Sequence, residues 1–151
     1  MQGKTLIKLL IVAAIAIFVW KKGIPWWNEH HSSGTSATSA ADDSCVSAAV
    51  AASEAWGSSI GRFANPPYDL SAWGEFHSRV EQNIRNAEGK CRCMADSCTT
   101  ARTAMSELRS LVNELDGSIR GGGPPPSDAV QRQEAIDNAI NSARDLAHQG
   151  K

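Results

Sequence analysis

Two kinds of apolar spacing divide the chain. From Thr5 to Trp20 the run TLIKLLIVAAIAIFVW is broken only by Lys8. Beyond Cys45, apolar residues return at steps of three and four, the repeat of a helix with one buried face. No window alternates as a half-buried strand would. The pattern therefore predicts an all-α protein: an N-terminal single transmembrane helix, then a three- to four-helix bundle.

The bundle reads helix by helix. Asp42 and Asp43 are placed to cap a first helix whose stripe is Val46, Ala49, Ser53, Trp56, Ile60 and Phe63, ended by Asn65-Pro66-Pro67. Ala48, Ala51, Ala52 and Ala55 flank that stripe and would let a neighbour approach closely. A second helix starts after Asp69, with Trp73, Phe76, Val80, Ile84, Ala87 and Cys91 on one face and a stop near Gly89. The third stripe is Cys98, Ala101, Met105, Leu108, Val112, Leu115 and Ile119, widened by Leu111. GGGPPP at 121–126 ends it, supplying three flexible residues and three without amide donors. A fourth helix begins at Ser127 or Asp128 with Gln133, Ile136, Ile140, Ala143 and Ala147 inward. Its stripe is weaker. It either completes the bundle or offers Val130, Ile136, Ile140 and Leu146 to a partner.

Aromatic residues make up only 6% of the sequence, so the core is expected to rest on small side chains rather than large rings. Charge is unevenly spread. Residues 1–22 hold Lys4, Lys8, Lys21 and Lys22 and no acid, while the remainder carries 11 basic and 16 acidic side chains. That excludes binding of nucleic acid through bulk positive charge. It suits instead an apolar anchor bracketed by lysines, with an acidic body outside the bilayer.

Sixteen helical residues span about 24 Å, short of the roughly 30 Å hydrocarbon layer. Lysine stems reaching the headgroups at both ends narrow that gap, and Trp20, Trp26 and Trp27 suit an interface. A cleaved signal peptide fits less well, because no small-x-small site follows Trp20 at the usual distance. A buried soluble helix would show a stripe, and this run is apolar all round. The expected organisation is an anchor at 1–22, a juxtamembrane segment and flexible tether at 23–41, a cysteine-braced helical core at 42–120, the linker at 121–126 and the fourth helix at 127–151. Within the tether, Glu29, His30 and His31 are read as a polar stretch, because adjacent histidines on a linker point in diverging directions and nothing orients them on a metal.

Gly3 to Phe18, GKTLIKLLIVAAIAIF, resembles the leader junction and hydrophobic N-terminal helix of type IV pilins and related pseudopilins. Gly3, Thr5, Leu6, Ile7, Leu9, Leu10, Ile11 and Val12 carry the match. Lys4 stands where that family has an aromatic residue, and Lys8 where it has a glutamate. The resemblance implies cleavage after Gly3 and a place in a pilus-like filament or secretion system.

The cysteines carry the sharpest expectation. In an up-down-up order, the start of the first helix, the end of the second and the start of the third share one end of the bundle. Cys45, Cys91, Cys93 and Cys98 fall at those places. Two disulfides are expected, Cys45 bonding Cys91 or Cys93 and the other bonding Cys98, because Cys91 and Cys93 are too close in sequence to suit each other. A 93–98 bridge requires the third helix to begin after Cys93. The alternative is a metal centre on the same four thiolates. Disulfides place the body in an oxidising compartment, periplasmic or extracellular, behind an inner- or plasma-membrane anchor with a cytoplasmic N-terminus.

Catalytic motifs offer little. H-E-x-x-H, the P-loop, G-x-G-x-x-G, C-x-x-C and the haem-attachment C-x-x-C-H are absent. His77, His148, Glu75, Glu81 and Glu88 form no recognisable acid–base constellation. The chain is expected to be a non-catalytic accessory or interaction subunit of a larger membrane assembly, touching the lipid bilayer and other subunits, with no cofactor and no nucleic acid. A metal- or redox-cofactor-binding membrane protein and a filament component are the alternatives.

Overall fold

A computed structural model describes residues 37–149 of the chain. The expected anchor at 1–22, most of the expected tether, Trp20, Trp26, Trp27 and the segment resembling pilins lie outside the described residues. The elements among them are all helices: α1 (Ala37–Gly57), a short 3-10 helix (Ile60–Phe63), α2 (Leu70–Lys90), α3 (Asp96–Arg120) and α4 (Ala129–Gln149). None of these is long and apolar enough to cross a membrane.

The stripes bury as their spacing predicts. Trp73, Phe76, Val80, Ile84 and Ala87 line the inner face of α2, followed by the buried Cys91, while α3 buries Cys98, Ala101, Met105, Leu108, Leu111, Val112, Leu115 and Ile119. Successive helices run antiparallel, as cross-links along their lengths show. Trp73 near the start of α2 donates to Asp116 near the end of α3, and Arg109 of α3 meets Glu88 of α2. Arg132 of α4 pairs with Glu114 of α3, and Ser53 of α1 donates to Asp137 of α4. The helices α1 and α3 also pack across the bundle diagonal, whereas α2 and α4 hardly meet. Small residues explain this. Ala48, Ala49 and Ala52 are buried on α1 and leave room for α3 to come close.

Three expectations need correction. First, α1 already runs from Ala37, so Asp42 and Asp43 lie within the helix and not at its cap. Ala37, Ala40 and Ala41 favour these extra turns, but no apolar stripe advertises them. Second, the first helix does not run on to Phe63. It stops at Gly57, and a separate 3-10 turn delivers Phe63 to the core. Third, large rings do build part of the core. Trp56, Phe63, Trp73 and Phe76 are all buried at the α1–α2 corner. Phe63 meets Trp73 edge-on at 5.0 Å between ring centroids and stacks on Phe76 at 5.4 Å, and Trp56 stacks on Phe76 at 5.8 Å. A low aromatic fraction does not prevent four rings from meeting when each sits on an inward position.

The turns follow local chemistry. Asp69 caps α2 by accepting from the Ala72 amide at 3.0 Å. After α3 the Gly123 amide bonds Ser118 O at 2.8 Å and the Gly122 amide bonds Ile119 O at 3.0 Å. That is a Schellman ending, and Gly122 takes the required left-handed φ of 69°. Tyr68, from the loop before α2, donates to Gly123 O at 3.0 Å and ties the two loops together.

Candidate functional site

The end of the bundle opposite the aromatic cluster gathers all four cysteines. Cys45 lies about two turns inside α1, since the helix starts earlier than its capping residues suggest. Cys91 is the C-cap of α2, its amide bonded to Ala87 O at 2.9 Å. Arg102, nearly two turns into α3, reaches back to donate to Cys91 O at 3.2 Å. Cys93 sits in the connection between α2 and α3, and Cys98 in the first turn of α3.

Cys45 pairs with Cys91 and Cys93 with Cys98, with Cα separations of 4.6 Å and 5.7 Å. This is one of the two arrangements that the spacing leaves open. The short bridge is possible because α3 starts at Asp96, after Cys93, which frees the backbone to curl back on the helix. The first bridge spans 46 residues and the second 5. Cys45, Cys91 and Cys98 are fully buried, while Cys93 is half-buried.

The two bridges are close neighbours. The sulfurs of Cys45, Cys93 and Cys98 all lie within 4.8 Å of one another. Asp42 Oδ1 stands 3.5 Å from Cys98 Sγ. In the paired state each sulfur is bonded to another sulfur, so none is a thiolate ligand. A four-thiolate metal centre would therefore require both bridges to open.

The fourth helix places the residues considered for a partner unequally. Ile136 and Ile140 are buried in the bundle's own core, Leu146 is half-buried, and Val130 is exposed. These four do not form one free apolar face. Completion of the bundle has used the middle of the stripe. Gln133, also on that stripe, turns its Nε2 to Asp137 at 3.0 Å, and Asp137 in turn accepts from Ser53.

A polar ladder fills the α2–α3 groove. Arg109 bonds Glu88 at 2.8 Å and approaches Glu81 at 3.8 Å, so those two glutamates flank one guanidinium. His77 lies beside Trp73, with ring centroids 5.9 Å apart. Trp73 Nε1 donates to Asp116 at 2.7 Å, and Arg120 Nε bonds the same carboxylate at 2.8 Å. Burial pushes the Asp116 carboxyl up, but these two hydrogen bonds and the neighbouring His77 and Arg120 outweigh it and hold the group below its ordinary value. This arrangement pins α2 to α3. It presents no nucleophile with a base beside it.

One motif is easily passed over in the sequence. Gly57-Ser58-Ser59-Ile60-Gly61 spells G-x-S-x-G, the string of a hydrolase nucleophile elbow. An elbow needs a strand-to-helix turn and a histidine at the serine. Here Ser59 joins two helices with φ −131°, and among the described residues its hydroxyl meets that of Ser58 at 3.5 Å and no histidine. The string serves as a helix stop.

Comparison with protein-family models, with curated proteins and with solved structures finds no match for this chain.

Proposed function

We propose that this chain is a non-catalytic, membrane-tethered accessory subunit whose helical body docks on a larger membrane-associated assembly. The observation that carries the reading is the order of features along one chain. A lysine-flanked apolar run comes first, then a polar connection, then an acidic bundle with both bridges at the end where the chain enters. The bridges favour an oxidising compartment for the body. The body itself supports scaffolding more than chemistry, since Arg109, Arg132 and Asp116 are tied into helix–helix links.

The test starts from membranes of the native source. Alkaline extraction should leave the chain in the pellet, and protease added outside the membrane should cut the body but spare the N-terminus. Native electrophoresis should then place the chain in a complex well above 16.1 kDa, and its abundance should fall when another subunit is removed. Release by alkaline extraction would overturn the anchor. Migration as a free chain would overturn the accessory role.

A further inference from the structure

We propose that the two disulfides form one exchange unit, in which a dithiol reduces Cys93–Cys98 and Cys98 then takes Cys45 from Cys91. Three observations support it. Of the four cysteines, Cys93 alone is open to solvent, so an external reductant meets that bridge first. Cys98 occupies the third position of a 25-residue helix whose N-cap, Ala95, offers no side-chain hydrogen bond to the first turn. The free amides and helix dipole there favour Cys98 as the leaving thiolate. Finally, Cys45 Sγ lies within 4.8 Å of both Cys93 and Cys98, inside the reach of a small side-chain rotation.

The chemistry balances in three steps. A thiolate of the dithiol attacks Cys93 Sγ, the Cys93–Cys98 bond breaks, and its electron pair leaves on Cys98. The second thiolate of the dithiol then attacks its own sulfur in the mixed disulfide. Cys93 leaves as a thiolate and takes a proton, and the dithiol is oxidised to its disulfide. Cys98 then attacks Cys45 Sγ, the Cys45–Cys91 bond breaks, a Cys45–Cys98 bond forms, and the Cys91 thiolate takes a proton. Two electrons enter, one disulfide remains, and the bridge on α1 has moved from the end of α2 to the start of α3. Asp42, 3.5 Å from Cys98 Sγ, opposes the thiolate electrostatically. Asp42 therefore weakens Cys98 as a leaving group, against the pull of the helix terminus, but makes its thiolate the stronger nucleophile for transfer to the adjacent bridge. The outcome frees the connection at 91–95, which carries the exposed Arg92 and the 92% exposed Met94, from both bridges.

The experiment treats the full-length folded chain with one equivalent of dithiothreitol, quenches with acid, labels free thiols with N-ethylmaleimide and maps peptides without reduction. The expected product carries a Cys45–Cys98 link with label on Cys91 and Cys93. An intact Cys45–Cys91 link with label on Cys93 and Cys98, or a Cys45–Cys93 link, would overturn the proposal. The Cys98→Ala variant keeps the long bridge, and circular dichroism checks that it folds. Cys91 labelling should be lost in that variant. Labelling that persists at the wild-type rate would equally sink the assignment.

Discussion

Removing the two bridges one at a time should cost very different amounts, and the difference follows from where they sit. Cys45–Cys91 closes a separation of 46 residues and Cys93–Cys98 one of 5. Loop-closure entropy in the unfolded chain then gives about 4 kcal/mol for the long bridge and about 2 kcal/mol for the short one. Cys45 and Cys91 are both fully buried, so Cys45→Ala/Cys91→Ala also leaves sulfur-sized voids, adding on the order of 1 kcal/mol. The paired variant Cys93→Ala/Cys98→Ala loses one buried sulfur and one half-buried one. Urea unfolding of the full-length chain in mild detergent, followed by far-ultraviolet circular dichroism, measures both. The long-bridge variant should show the lower midpoint and a steeper denaturant slope, because its unfolded state is released over a larger loop. Equal losses, or a larger loss for the short bridge, would refute the view that Cys45–Cys91 is the main staple.

Other substitutions test other parts of the fold. Gly122→Ala places a Cβ at φ 69° in the Schellman turn and should lower stability by about 1 kcal/mol, read as a drop in Tm. Ile140→Ala should cost about 2–5 kcal/mol if α4 belongs to the core, whereas Val130→Ser at an exposed site should be nearly neutral; equal effects would place α4 outside the bundle. Asp116 has a folded pKa below its unfolded one, so the stability it adds is complete above the ordinary aspartate range and is lost as pH falls through the folded value. Asp116→Asn should therefore narrow its gap to wild type on acidification, and a gap that widens in acid would contradict the assignment.

Much of this fold is legible in the sequence because burial leaves a periodic mark. The α2 and α3 stripes run to the end of their helices, with Asp69 marking the start of α2 and GGGPPP the stop of α3. What escapes is information that periodicity does not hold. Ala37 to Ser44 form helix without an apolar face, and with Thr38, Ser39, Asp42, Asp43 and Ser44 among only three alanines, propensity hardly announces them either. The meeting of Trp56, Phe63, Trp73 and Phe76 depends on the 3-10 turn, which swings Phe63 back over residues distant along the chain. Cys91 and Cys93 are two residues apart, too close for spacing to choose which bonds Cys45. That choice comes from the end of α2, where Cys91 caps the helix facing inward and Cys93 has already left it.

The two ends of the bundle are held by different means, and this bears on how a tethered body would respond to strain. At the loop-rich end, rings and hydrogen bonds such as Tyr68 to Gly123 O do the holding, and each can break and re-form. At the other end covalent bonds do it. The chain enters the bundle through α1, and Cys45 lies about two turns inside that helix. Fraying that starts at Ala37 therefore meets a bond to the end of α2 before it reaches the buried Ala48, Ala49 and Ala52. Under the proposed exchange, Cys45 keeps a partner before and after, first Cys91 and then Cys98. So α1 stays pinned in both redox states, and only the end of α2 is released. Reduction would then alter the exposed turn at 91–95 while the core beneath it stays closed, confining a redox signal to one corner of the surface.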